Sequence, residues 1–421
     1  MKKNKRKFIK SLGLGLLSLP FIRGVRADYK PKIVIIGGGF GGGSCLSYLK
    51  RFSDKFDLNL IDIKKDYYTC PFSNYVIGGF RKINENRFSY TKLDKTKVNL
   101  INLRVKYINS DRKLIKFTNN DILNYDWLIL SPGIGFKWDI IDGYNKQSNN
   151  KFPHAWNGGK VDVLSKKLDS LENNSKILIS APDYPYRCPP APYERASMIA
   201  YRLKKKGIKF KIIILDTKNS FTKMELFFHS WKKLYPDSID WISRKDGGEV
   251  IKFDEKNKTL TTKSGQKFVG DFVNIIPPQK AADVITDSEL ILDDWCEINP
   301  KTFELSEKKN IHVVGDSINA WDMPKSAFSA TSQAKICAEN IKNIILGKDL
   351  VNPVFLNTCY SLASPNYGFS ISSWYRINQN NDRIVSLGSE KSSITASVNE
   401  RKEEVLQSFG WYDNITKEIF G

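Results

Sequence analysis

The chain has 421 residues, 41% of them apolar and 26% charged, which excludes a disordered chain or a fibre and leaves room for two or three domains. Six cysteines are too sparse for a disulfide-stapled scaffold. The net charge of +21 reflects 66 basic against 45 acidic residues, but no basic stripe interleaves with aromatics, so an acidic protein partner is expected and nucleic acid is not.

Residues 1–27 read as an export signal. Lys2 to Lys10 form a basic stretch, Ser11 to Ile22 a short apolar one, and Val25 to Ala27 a cleavage site. The apolar stretch is about half a bilayer span. The run Lys5 to Lys10 resembles the twin-arginine signal, with Lys5 where the first arginine would stand. The competing reading is a basic amphipathic helix kept in the mature protein. A periplasmic location is expected, with no transmembrane segment in the mature chain.

An apolar strand, Lys32 to Ile36, runs into Gly37, Gly39 and Gly42 and then a helical stretch from Ser44 to Arg51. This is the G-x-G-x-x-G turn in its strand–turn–helix setting, where a helix N-terminus meets a pyrophosphate. A second strand, Leu58 to Ile61, ends in Asp62, placed to accept from ribose hydroxyls. Tyr125 to Gly133 resembles the strand and turn that return to the nucleotide in two-dinucleotide-domain flavoproteins. Asn310 to Asp316 resembles their late strand, whose Gly315-Asp316 pair holds the ribityl chain of FAD.

Such proteins usually insert a second Rossmann unit for NAD(P)H. Here that unit begins at Ser175 and continues through Lys209 to Asp216, but the turn from Ala181 to Pro190 carries prolines where glycines belong. Prolines remove amide donors and fix φ. A retained fold without a nicotinamide site is expected, and NAD(P)H is not expected as a reductant. The organisation is α/β: an export signal (1–27), an FAD domain in two parts (28–150 and 270–350), a second Rossmann-like domain (151–269), and a C-terminal α+β region (351–421).

No C-x-x-C pair occurs and there are only three histidines, so no metal cluster is expected, and no C-x-x-C-H haem attachment either. Cys45, Cys296 and Cys337 read as buried small hydrophobes. Cys70, Cys188 and Cys359 lie in stretches that read as irregular, polar or proline-rich. Arg187 stands beside Cys188, where it can favour thiolate, and Glu194 follows six residues on. An exported flavoprotein with two exposed cysteines of this kind points either to a redox disulfide beside the flavin or to a structural bond. Glu194 has an alternative reading as a helix-start carboxylate paired with Arg195 or Arg202.

The contexts of Cys70, Cys188 and Cys359, with Met323 to Ser326 and Trp411 to Gly421, resemble the flavoprotein subunit of flavocytochrome c sulfide dehydrogenase, a relative of the sulfide:quinone oxidoreductases. The resemblance implies FAD bound covalently through Cys70, a Cys188–Cys359 disulfide beside the flavin, and Glu194 as proton acceptor. It also implies hydrosulfide as substrate and a c-type cytochrome subunit as heterodimer partner. The rivals are a quinone-linked enzyme and a non-catalytic FAD-binding protein. Against the quinone reading, the tail Val398 to Gly421 alternates charge and aromatics and reads as lacking a continuous apolar face.

Overall fold

A computed structural model describes residues 29–90, 97–156 and 158–421; the export signal read over residues 1–27 lies outside them. Strand β1 (Lys32–Ile36) is rich in β-branched residues, and Ile33 to Ile36 are buried. That is the pattern of a central parallel strand covered on both faces. Helix α1 (Phe40–Leu49) follows directly, four residues earlier than the sequence suggests, because its glycine-rich first turn is packed tightly. A Cβ on Gly43 would lie 2.4 Å from Ile419 Cγ2. Strands β2 (Asp57–Ile61), β3 (Val98–Ile101) and β4 (Trp127–Leu130) complete the first pass.

The second unit contains β5 (Ser175–Ala181), α2 (Ala191–Lys206), β6 (Phe210–Asp216), α3 (Met224–Leu234), β7 (Ile239–Ile242) and β8 (Phe272–Ile275). The chain then returns to the first sheet through β9 (Ile311–Val313) and α4 (Ala327–Ile345). It ends in strands β10 (Val354–Ser364), β11 (Tyr367–Ile377) and β12 (Ile384–Lys391) and helix α5 (Val398–Phe420).

The first sheet has the order β9-β4-β1-β2-β3 and the second the order β7-β6-β5-β8, every pairing in both being parallel. In each, the chain moves outward on one side of its first strand and later returns to the other side. The crevice at the carboxyl end of that strand is therefore a topological switch point, where such sheets bind ligands. The third sheet, β10-β11-β12, is antiparallel.

Helix α5 corrects the reading of the tail. A capping box opens it: Glu400 N donates to Ser397 Oγ and Ser397 N to Glu400 Oε2. Arg401, Val405, Ser408, Tyr412, Ile415 and Ile419 are all buried, a stripe spaced four and three residues apart as a helix face requires. The polar members hide it from a hydrophobicity count. Ser408 Oγ bonds back to Val405 O at 2.7 Å, and the Arg401 guanidinium donates to Ser393 O and lies over the Tyr367 ring.

Candidate active site

The first crevice is lined by Gly37, Gly39, Asp62, Gly133, Gly315 and Asp316, from the loops after β1, β2, β4 and β9. Gly37 has φ +93°, and a Cβ there would lie 2.4 Å from Ser131 O, so only glycine fits the turn. Gly42 does not line the crevice; a Cβ on it would meet Gly37 O at 1.9 Å, and its role is close packing of helix on strand. Asp62 Oδ2 accepts from Gly38 N at 3.0 Å and Tyr90 OH at 3.2 Å.

Asp316 Oδ1 and Arg187 Nε are buried without a hydrogen-bond partner among the described residues, although Arg187 Nε stands 3.7 Å from Asp316 Oδ2. Buried polar atoms in native proteins nearly always find partners. Orphaned atoms beside a glycine cradle fit a polyhydroxylated dinucleotide such as FAD.

Cys70, Asn74, Cys188, Glu194, Cys359 and Trp411 line an adjoining cavity. Cys70 and Cys188 belong to the walls of both cavities. All six cysteines are free thiols in this structure. Cys45, Cys296 and Cys337 are fully buried in the first core.

Cys188 has φ +59°, a left-handed conformation that costs a non-glycine residue about 1 kcal/mol. It is held there because Cys188 N donates to Lys325 O at 2.7 Å and Cys188 O accepts from Ala191 N at 2.9 Å. Cys359 is on a regular strand, not in an irregular stretch, and is only 9% exposed. Asn357, two residues earlier on the same face, donates from Nδ2 to Cys359 Sγ at 3.4 Å.

Arg187 interacts with Cys70, Asp316 and Cys188, and Lys223 is a further cation that counters burial at the Cys188 thiol. Burial pushes the Cys188 thiol well up, with Cys70, Cys359 and Glu194 adding to the rise. Glu194 pairs with neither Arg195 nor Arg202. Its Oε2 accepts from Asn74 Nδ2 at 2.7 Å and its Oε1 from Leu362 N at 2.9 Å. Arg195 is instead held by Asn74, Asn274 and the carbonyls of His154 and Ala155. Burial raises the Glu194 pKa, and its hydrogen bonds lower it.

Asn74, Lys223 and Asn357 were not singled out by the sequence. Each is one polar residue in an unremarkable stretch, and only tertiary contact brings it to the site.

At the second crevice the carboxylate is already engaged by protein. Asp216, at the ribose-binding end of β6, is fully buried. It accepts from Lys218 Nζ at 2.6 Å, Tyr193 OH at 2.5 Å and Trp241 Nε1 at 2.8 Å. Tyr193 stacks on Phe221 with ring centroids 3.5 Å apart, and Tyr186 OH bonds to Pro189 O within the proline turn.

Two doubly wound sheets, a glycine cradle at the first and a C-terminal sheet and helix over it define a two-dinucleotide-domain flavoprotein oxidoreductase. Consistent with this class, the fold matches the sulfide:quinone oxidoreductase of Aquifex aeolicus with a TM-score of 0.72 at 17% identity, covering 93% of this chain and 92% of that one. Residues 161–277 match the central-domain family model of the sulfide dehydrogenase [flavocytochrome c] flavoprotein chain, and residues 351–420 match the flavin-binding model of flavocytochrome c sulphide dehydrogenase. The mitochondrial sulfide:quinone oxidoreductase of Dictyostelium discoideum is 26% identical over 81% of this chain and 78% of its own length. The flavoprotein chain of the Chlorobaculum thiosulfatiphilum sulfide dehydrogenase is 42% identical over 45 residues, 11% of this chain and 94% of that sequence. The chain belongs to the family of sulfide-oxidising flavoproteins that unites flavocytochrome c sulfide dehydrogenases with sulfide:quinone oxidoreductases.

Proposed function

We propose that this chain is the FAD-bearing subunit of a periplasmic sulfide dehydrogenase, oxidising hydrosulfide to zero-valent sulfur and passing electrons to a c-type cytochrome subunit. The observation that carries the reading is the gathering of Cys188, Cys359 and Glu194 around one cavity, with Cys188 and Cys70 also walling the dinucleotide crevice. Gly37, Gly39, Asp62, Gly133, Gly315 and Asp316 would hold FAD, and Cys70 would bond to it covalently. Bound there, FAD supplies an acceptor for an electron pair.

The chain's own residues handle the sulfur. In the oxidised protein Cys188 and Cys359 share a disulfide. Hydrosulfide attacks the Cys188 sulfur, the S–S bond breaks, and its electron pair leaves on the Cys359 thiolate. The incoming sulfur remains on Cys188 as a persulfide, whose proton passes to Glu194. FAD held there would accept the two electrons that the paired sulfur anions give up as the Cys188–Cys359 bond re-forms and sulfur leaves at the zero-valent level.

Anaerobic mixing of the FAD-loaded protein with sulfide tests the scheme through the flavin absorbance. Cys188→Ser and Cys359→Ser should each abolish bleaching by sulfide and leave bleaching by dithionite intact. Reaction of either variant at the parent rate would mean that the cysteines are structural. A second reading, a sulfide:quinone oxidoreductase, draws on the long match to the Dictyostelium enzyme and differs only in the acceptor.

A further inference from the structure

Lys223 is 7% exposed and immediately precedes helix α3 with φ +65°. A buried ammonium is costly unless anions or hydrogen bonds compensate it. Its Nζ donates to Cys359 O at 2.6 Å and to Ser361 Oγ at 2.8 Å, and it stands 5.6 Å from the centroid of the Phe369 ring on β11. The neighbouring residue on β10, Leu362, donates its N–H to Glu194 Oε1. Cation and carboxylate therefore grip the same four-residue segment of β10 that carries Cys359. The titratable groups facing Lys223 are Cys359, Glu194 and Cys188 around the cavity, with Glu404 from α5.

Lys223 is not among the residues lining the cavity, so it acts on sulfur through its field and through the strand, not by touching substrate. With Glu194 ionised, the pair Lys223 and Glu194 is neutral. Any anion formed on Cys188 or Cys359 is then an added negative charge in a buried site, where the Coulomb attraction of a nearby cation is least screened.

We propose that Lys223 is a positioning residue that holds Cys359 through its carbonyl and supplies the positive charge against which a sulfur anion forms on the Cys188–Cys359 pair. This deepens the sulfide-oxidising reading and rests on it. It assigns the cavity a preference for small anionic nucleophiles over neutral ones.

The test is the pH dependence of alkylation by iodoacetamide of the FAD-loaded, thiol-reduced protein, with Cys188 and Cys359 read separately by peptide mass. Lys223→Gln keeps a donor for the Cys359 carbonyl and Ser361 hydroxyl but removes the charge. Lys223→Arg restores the charge. The Gln variant should shift the alkylation midpoint of at least one of the two cysteines upward by about one pH unit, a tenfold slower reaction below the midpoint, and Arg should recover most of the shift. Lys223→Met serves if Gln fails to retain FAD. An unchanged profile in folded Lys223→Gln or Lys223→Met overturns the inference, even if sulfide still bleaches the flavin. A shifted profile in a protein that sulfide does not bleach upholds the charge role and counts against the sulfide reading instead.

Discussion

Enclosure of the Glu194 carboxylate alters its chemistry as a base. Removal from water raises its proton affinity, and the bonds from Asn74 and Leu362 hold back part of the rise. A carboxylate whose pKa lies above its usual value of about 4.3 is a better proton acceptor at neutral pH than an exposed one. A proton acceptor must be deprotonated, so under the proposed mechanism the contribution of Glu194 would be present above the raised pKa and lost as pH falls through it. That loss starts at higher pH than for an exposed glutamate. Glu194→Gln should slow flavin reduction by sulfide by about 10²-fold. The ratio of parent to variant rate, which cancels the titration of hydrosulfide itself, should fall toward one on acidification. A ratio that stays constant with pH would remove Glu194 from the proton path.

Among the elements, helix α5 bears on the first site and the packing around Asp216 on the second crevice. Helix α5 lines the cavity that adjoins the first crevice, through Ser408 and Trp411. Tyr412 OH and Thr69 Oγ1 are 2.7 Å apart, the Tyr412 ring lies 4.2 Å from Phe72, and Trp411 stacks on Phe40 and Phe328. These contacts pin the loop on which Cys70 sits. Tyr412→Ala should lower stability by about 3–5 kcal/mol, seen as a fall in Tm. It should also reduce the share of FAD that stays with the protein after acid precipitation, which Cys70→Ser should abolish. Leu406→Ala, at a position 69% exposed on the same helix, should do neither.

At the second crevice, Asp216 is already satisfied by Lys218, Tyr193 and Trp241, which leaves it no free acceptor for a ribose. NADH should therefore fail to bleach the flavin in anaerobic stopped flow at any rate comparable with sulfide. Rapid bleaching would show that this packing opens.

For the whole molecule, the undecided quantity is where the electrons go. No helix among the described residues is long and apolar enough to cross a membrane, and the buried stripe of α5 is spent on its own protein. The chain beyond residue 27 carries a net charge of +13, which favours encounter with an acidic protein through a field that salt screens over about 8–10 Å. Sulfide-dependent turnover should thus proceed with a soluble acidic c-type cytochrome and slow as salt is raised. Turnover with a short-chain ubiquinone, and none with the cytochrome, would move the assignment to the quinone-linked branch of the family.

Periodicity and glycine spacing made the two parallel sheets legible in the sequence. Strand β1 is a short apolar run at the mouth of a glycine turn, and both properties follow from local sterics and burial. Cys70, Cys188, Cys359 and Glu194 were legible as candidate groups from their residue types and from the family resemblance of the stretches around them, whereas their reactivity is tuned by burial. Which charge faces which thiol was not legible. Arg187 adjoins Cys188 in the chain, yet it acts on Cys70 and Asp316 as well as on Cys188. Lys223, 35 residues beyond Cys188, bonds to the Cys359 carbonyl on another sheet. Backbone direction at a left-handed cysteine and the packing of β10 over the loop before α3 set that arrangement. In the polar-looking tail, by contrast, the partners are local: Ser408 and Thr416 bond to carbonyls of their own helix and Arg401 to Ser393 just before it. Composition records the polarity of a side chain, whereas the partner of one such as Lys223 is fixed by a fold that brings distant carbonyls within hydrogen-bond reach.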